Sequence, residues 1–407
     1  MLGCRSISKM AKANKKESKI YRRKLSVCMI AYANYFTDAR IKNYVEALLK
    51  EGYEIDVFAL GSNDSAAQPG LRVFSVMEKY WGKSALRYAI SQLWFTWRTA
   101  LLVSWYFLKK HYCLVHVHNI PNFLVFSAII PKLNGAKIIL DVHDTMPESY
   151  ATKFDLPLNH FLINMLRWEE RLSAWFSDQV LTTNKLHKEV LCSHGVSKNK
   201  IDVILNVGNK RVFCPTRDRK PHNELMLVYH GTITERLGID TILKAVALAS
   251  KECHSVRFLL IGEGDFLNAA KSLINNLELM DIVQITGFVP VEELPTYLSM
   301  ADVGIVGNRG YTETKHNYML PVKMLEYTAM EIPTIAPRLR VICHYFDENC
   351  AIFYTPDDVN DMAQRIIEVC KHREIIANIR EGLKVFNKRY NWSSMEKKYL
   401  NIIGRLI

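Results

Sequence analysis

Apolar runs alternate along the chain with stretches of helical periodicity, and that alternation sets the first expectation. Residues 25–31 form an apolar run of the kind expected for a strand covered on both faces. Residues 38–50 follow with Ile41, Val45, Leu48 and Leu49 on one helical face, and Gly52 closes the turn. Further strands are predicted at 53–60, 113–117, 136–142, 179–183 and 200–205, with a long helix over 158–177. The pattern restarts with strands at 225–230, 255–261, 281–286, 302–306 and 332–336. Helices are predicted between them, from 238, up to about 276, over 291–300 and over 321–330. Such alternation implies parallel sheets with right-handed crossovers.

Residues 207–224 are polar, contain two prolines and lack periodicity, which places a linker there. The expected fold is α/β, with two Rossmann-like, doubly wound parallel-sheet lobes facing a cleft. The lobes are predicted at 25–206 and 225–390, preceded by a basic tail over 1–24. An amphipathic C-terminal helix within 391–407 is expected to cross back to the N-terminal lobe. A chain of 407 residues gives each lobe enough length to bury its own core.

One segment complicates this scheme. AISQLWFTWRTALLVSWYFL (89–108) has about the length of a membrane span, yet Gln92, Arg98 and two threonines interrupt it. It reads as a buried lobe helix, as an interfacial helix with Trp94, Trp97, Trp105 and Tyr106 at headgroup level, or as a span. Charge bears on the choice. The net charge is +12, and residues 1–24 hold nine Lys/Arg against Glu17 alone, so the tail carries +8 of it. A polybasic tail suits an anionic membrane surface; nucleic-acid binding and a solvated leader are the other readings. The nine cysteines include no C-x-x-C, and the N-terminus lacks the apolar core of a signal peptide. A reducing, cytosolic compartment is therefore expected.

In open parallel sheets, ligands bind beyond the carboxyl ends of the strands. Polar residues cluster at those positions here: 33–40, 118–122 and 143–148 in the first lobe, then 230–236, 262–265, 287–290 and 308–323 in the second. Gly231, Gly238 and the Gly262–Gly264 turn would let backbone N–H groups approach a diphosphate, although tight strand–helix loops also use glycine for steric reasons. Arg236 can add a charge-assisted contact. Glu326, on the helix opened by Pro321, can accept both hydroxyls of a ribose, with Lys323 one turn earlier on the same face. An ordinary exposed Lys–Glu pair is the plainer reading. After the first strand the chain reads YANYFTDAR, without glycine, which argues against a G-x-G-x-x-G dinucleotide site.

Over about residues 25–400 the chain resembles family 4 retaining glycosyltransferases of the GT-B fold. The motifs that carry the resemblance are VHVHNIPNFLVF (115–126), ILDVHDTMPESYATKF (139–154), YHGTITERLGIDTILKA (229–245), LIGEGD (260–265), ITGFVPVEELPTYLSMADVGIV (285–306) and LPVKMLEYTAMEIPTIAP (320–337). The resemblance implies transfer of a sugar from a nucleoside-diphosphate sugar to a hydroxyl of a glycan or lipid-linked acceptor. No metal and no bound cofactor are expected, and no nucleic-acid partner. Glu326 matches the second glutamate of the family's E-x7-E motif, as the ribose ligand. The loop at 320–324, with Leu320, Pro321, Val322 and Lys323, would wrap the diphosphate and donor sugar, with Arg236 as phosphate partner. Phe288, Val289 and Leu294 would border the nucleobase, and Gly231, Thr232, Gly262, Gly264, Asn317 and Tyr318 complete the donor side. His143 matches a position near the donor sugar, while Arg40, His118, Asn119, His143 and Asp144 form the acceptor side. His143, Arg236, Lys323 and Glu326 are thus the expected catalytic group.

Three departures from the family pattern stand out. The first glutamate of E-x7-E falls at Tyr318, and the usual Arg and Lys of the phosphate loop fall at Thr232 and Leu237. They keep open a catalytically degenerate GT-B scaffold in a membrane-associated assembly. A metal hydrolase is the chemical rival, because His116 and His118 share one strand face, as do Asp141 and His143.

Overall fold

The computed structural model describes residues 25–61, 68–80, 84–154, 156–208, 212–215, 223–310 and 318–407. The basic tail, Asn317 and most of the 207–224 linker lie outside the described residues. Two compact units emerge: one takes the chain to His118 with Leu124–Ile139 and Ile407, the other Asn119–Phe123 with Leu140–Leu406.

The first half of the chain builds β1 (Ser26–Asn34), α1 (Ala39–Lys50), β2 (Glu54–Leu60), β3 (Leu71–Met77), α2 (Ala85–Lys110), β4 (Tyr112–His118), α3 (Ile129–Leu133), β5 (Lys137–Val142), α4 (Met146–Phe154), α5 (Phe161–Phe176), β6 (Gln179–Thr182), α6 (Lys185–Ser193) and β7 (Ile201–Val203). The seven strands form one sheet in the order β3-β2-β1-β4-β5-β6-β7. Val27 to Ala31 of β1 are buried, as the apolar run requires of a central strand. Asp38 caps α1, its Oδ1 accepting from the N–H groups of Arg40 and Ile41, both at 3.0 Å.

The second half builds β8 (Leu225–His230), α7 (Ile239–Glu252), β9 (Val256–Ile261), α8 (Leu267–Asn276), β10 (Val283–Gly287), α9 (Leu294–Leu298), β11 (Val303–Ile305), α10 (Val322–Ala329), β12 (Thr334–Pro337), α11 (Arg340–Tyr345), β13 (Ile352–Tyr354), α12 (Val359–Lys371), α13 (Glu374–Arg389) and α14 (Trp392–Leu406). Its six strands pair in parallel in the order β10-β9-β8-β11-β12-β13. Leu227, Tyr229, Phe258, Leu260 and Ile305 of the sheet pack into one core with Ile242, Val246 and Ile366. Within the second unit α14 returns to β7: Lys398 Nζ donates to the Val203 carbonyl at 2.8 Å, and Arg405 pairs with Asp202 at 3.2 Å.

Several elements go beyond the sequence expectation, among them β3, β13 and α4. β3 is a lateral strand whose residues are mostly half-exposed, and β13 is only three residues long, so neither produces an apolar run. α4 begins in the polar 143–148 segment, where Pro147 is tolerated in the first helical turn.

The aromatic segment is a 26-residue helix, α2, with an inverted distribution of polarity. Its core side buries Ser91, Gln92 and Thr99 beside Phe95, Val103 and Phe107, and Ser91 Oγ lies 2.8 Å from the Tyr32 hydroxyl. Its outer side exposes Leu86, Ile90, Leu93, Trp94, Trp97, Leu101, Trp105 and Leu108. The buried-helix reading therefore fails for that outer face. Among the described residues no helix is long and apolar enough to cross a membrane.

Candidate active site

In the second sheet the strand order reverses between β8 and β11, and the loops leaving that pair frame a cavity of about 310 Å³. It is lined by His230, Gly231 and Thr232 at the end of β8, Arg236 and Leu237 in the following turn, Asn308 after β11, and Met319 to Lys323 with Glu326 at the start of α10. Pro321, with φ −62°, sets the chain into α10, so the helix's first N–H groups face the loop that precedes them. The cavity joins a helix N-terminus to two cationic side chains, a combination suited to a diphosphate.

The polar groups at its floor are bound unequally. Glu326 Oε2 lies 2.6 Å from His230 Nε2. Tyr327, one residue on, is fully buried; its hydroxyl donates to the Val228 carbonyl and accepts from the His230 N–H, both at 3.2 Å. That hydroxyl braces the end of β8 against α10. Lys323, by contrast, has no hydrogen-bond partner among the described residues: its Nζ stands 3.6 Å over the Tyr229 ring. Burial pushes its pKa down to about 7, only partly opposed by the Glu326 carboxylate. His230 Nδ1 and Asn308 Oδ1 are likewise buried without partners. An unsatisfied buried polar atom costs about 1–3 kcal/mol, so three around one cavity mark a place built for a polar ligand.

The glycines divide into two roles. Gly231, at φ +116°, lines the cavity, and a Cβ there would meet the Lys323 side chain at 3.6 Å. A Cβ on Gly262 would lie 1.9 Å from the Gly231 carbonyl oxygen, and one on Gly264 2.0 Å from that of Ile233. These two glycines do not line the cavity; they let the loop after β9 lie flat against the loop after β8, where Ile233 N–H donates to the Glu263 carbonyl at 2.8 Å. The steric reading of the Gly262–Gly264 turn is the one the geometry supports.

Of the remaining donor-side residues, Thr232, Leu320, Pro321 and Val322 line the cavity with Arg236, which is exposed. Phe288 is exposed, Val289 half-buried and Leu294 buried, all three outside the lining. Tyr318 also stands outside it, and its carbonyl accepts from Asn184 Nδ2 at 2.8 Å. Asn317 lies outside the described residues. Sequence reasoning placed His230 and Asn308 at the start of polar clusters but gave neither a role in the site. The signal for His230 was its place as the last strand residue before Gly231.

The acceptor-side set is held mainly by backbone. In the second unit Asn119 Nδ2 donates to Asn122 Oδ1 at 3.0 Å and to the Asp144 carbonyl at 2.7 Å, while its Oδ1 accepts from the His143 N–H at 2.8 Å. Asn119 thus fixes the 143–144 turn. His143 Nε2 lies 3.1 Å from Asp141 Oδ2, with the imidazole partly exposed and the carboxylate buried. In the first unit Arg40 and His118 are buried, Arg40 over the Tyr44 ring at 5.2 Å and His118 stacked on His116 at 4.3 Å.

Two family profiles match the chain: Glycosyltransferase Family 4 over residues 39–207 and Glycosyl transferases group 1 over residues 224–372. Together they cover most of its length. The chain belongs to glycosyltransferase family 4. Among curated relatives of this family-4 chain is the amylovoran biosynthesis glycosyltransferase AmsK of Erwinia amylovora, 23% identical over 204 residues, which are 50% of this chain and 49% of AmsK. The chain thus spans about half the length of that relative. Among solved structures, sucrose-phosphate synthase from Thermosynechococcus elongatus superimposes with a TM-score of 0.75 at 18% identity, covering 94% of this chain and 99% of that one. Anabaena HepE in complex with UDP gives 0.70 at 12% identity, over 94% and 100%. These likenesses establish the GT-B fold for the family-4 chain.

Proposed function

We propose that the protein is a retaining glycosyltransferase that moves a sugar from a nucleoside-diphosphate sugar to a hydroxyl of a glycan or lipid-linked acceptor, in the building of a cell-surface polysaccharide or glycolipid. The observation that carries this reading is the cavity at the β8–β11 switch point, where Lys323 Nζ, His230 Nδ1 and Asn308 Oδ1 are buried without a hydrogen bond among the described residues. The name of AmsK and the UDP held by HepE point the same way.

In this reading Glu326 holds the ribose, and Arg236, Lys323 and the first N–H groups of α10 take the diphosphate. The acceptor oxygen bonds to the anomeric carbon as the carbon–diphosphate oxygen bond breaks, on the same face, and the acceptor's proton leaves with the diphosphate. Negative charge grows on the leaving group, and a preformed cationic pocket favours that change without a metal. A thermal-shift panel of UDP, GDP, ADP, CMP and NAD on wild type and Glu326→Ala tests the assignment. One nucleoside diphosphate should stabilise the wild type and not the variant. Stabilisation by NAD alone would overturn the donor reading, and a response to none would favour the degenerate scaffold.

We also place the protein on the cytosolic face of a membrane. The support is the outer side of α2: Trp94, Trp97 and Trp105 are 50–58% exposed, and the helix has basic residues but no carboxylate. α3 lies beside it and exposes Ile129, Ile130 and Leu133. A ridge of tryptophan and leucine edged by lysine and arginine suits the headgroup boundary of an anionic bilayer, and basic residues near that surface add about 1 kcal/mol each. The full chain should float with anionic vesicles at low salt, and Trp94→Ser/Trp97→Ser should shift it toward the unbound fraction. A chain wholly free of vesicles under those conditions counts against the membrane face.

A further inference from the structure

A second cavity is larger than the donor pocket. It measures about 570 Å³, lies within the second unit, and shares no lining residue with that pocket. Its walls include Asn164, Arg167 and Arg171 of α5, Ser193 and His194 at the end of α6, and Glu148 of α4.

The charges there are arranged asymmetrically. His194 is clamped by two carboxylates, Glu170 Oε1 at 2.6 Å from Nδ1 and Glu148 Oε1 at 3.1 Å from Nε2. Burial alone would lower its pKa, but those two hydrogen bonds outweigh it and raise the imidazole to about 9. The imidazole sits between Glu148, whose pKa is lowered, and Glu170, whose pKa burial raises. Among the described residues neither Arg167 nor Arg171 has a carboxylate within ion-pair distance, although Arg167 acts on the Glu170 carboxyl at longer range. Arg167 gives one hydrogen bond, Nη1 to Asn164 Oδ1 at 3.2 Å, and its Nε is buried without a partner. Guanidinium groups in a concave site, one with an unused buried N–H, are the donor geometry that oxyanions match.

We propose that this cavity binds an oxyanion carried by the acceptor, a phosphate or a carboxylate, through Arg167 and Arg171. It rests on the glycosyltransferase reading and adds to it that the acceptor is acidic. A neutral glycan would offer these guanidinium groups no charged acceptor, whereas a sugar bearing phosphate or carboxylate does and can present a hydroxyl to Ser193 or Glu148.

The experiment titrates the full chain by calorimetry, with the donor pocket saturated by the nucleoside diphosphate found above. Glucose 1-phosphate, glucuronic acid and methyl glucoside serve as probes. At least one anionic probe should bind ten times more tightly than methyl glucoside. Arg171→Gln and Arg167→Gln should each weaken that probe about tenfold or more, as expected for loss of a charge-assisted contact. Glucose 1-phosphate binding more tightly than glucuronic acid assigns the oxyanion as phosphate, and the reverse assigns it as carboxylate. Equal binding of all probes, or arginine variants that bind as wild type does, overturns the proposal. Arg171 is exposed, so its glutamine variant should fold. Retained nucleotide binding in both variants separates failure here from failure of the donor reading.

Discussion

Lys323→Met should weaken nucleoside-diphosphate binding by tenfold to a hundredfold without lowering the melting temperature of the free protein. Most buried cations are held by a carboxylate, and removing them destabilises the fold. Lys323 stands over the Tyr229 ring, and among the described residues its Nζ makes no hydrogen bond. Burial makes the charged amine costly, which is why its pKa falls from 10.5 to about 7. Methionine has nearly the same length and carries no charge to desolvate. The free protein therefore loses nothing it depends on, whereas the complex loses a hydrogen bond to a charged group, about 1.5–3 kcal/mol. Affinity measured by calorimetry and melting followed by circular dichroism test the two halves separately. A variant that binds the nucleotide as wild type does would remove Lys323 from the donor site, and one that melts well below wild type would make it structural.

The same displaced pKa predicts that donor binding takes up a proton. At pH 8 to 9 the free amine is largely neutral, and a diphosphate placed against it favours the charged form. The phosphates are themselves ionised there, since their last pKa is about 6. Calorimetry in two buffers of different ionisation heat should show uptake approaching one proton per site near pH 8.5, fading below pH 6. Lys323→Met should abolish it. Linkage gives a companion result for the free protein. The folded pKa lies below the unfolded one, so the unfolded chain binds more protons between about pH 7 and 10.5. This residue's contribution therefore makes wild type gain stability relative to Lys323→Met as pH rises through that window. Buffer-independent binding heats at pH 8.5 would exclude the coupling.

The two-lobed fold was legible because central strands such as β1 and β8 are apolar throughout and each is followed by a helical period. Elements at the margins were not, since β3 is half-exposed and β13 too short to form a pattern. The site was legible by segment and not by partnership. The Lys323–Glu326 spacing suggested a pair on one helix face, but Glu326 turns instead to His230, 96 residues earlier, and leaves the lysine alone. That choice is made by the sheet, which brings β8 beside α10, and no local spacing encodes it. For α2 the periodicity was ambiguous because both faces carry large apolar side chains. Only burial shows that the glutamine and threonine turn inward and the tryptophans outward.

The interlocked loops at Gly231–Ile233 and Gly262–Gly264 bear on how such a pocket diversifies. Two of its supporting positions admit no side chain, because a single added carbon would strike a neighbouring carbonyl. They lie behind the cavity and hold the Gly231–Ile233 loop in place by backbone contact, so they are closed to substitution. A lineage changing its sugar donor would have to vary elsewhere on the rim, at Thr232, Leu237, Asn308 and Met319, where side chains reach the cavity. The backbone half is thus fixed by sterics, and the side-chain half is where the shape of the cavity can change.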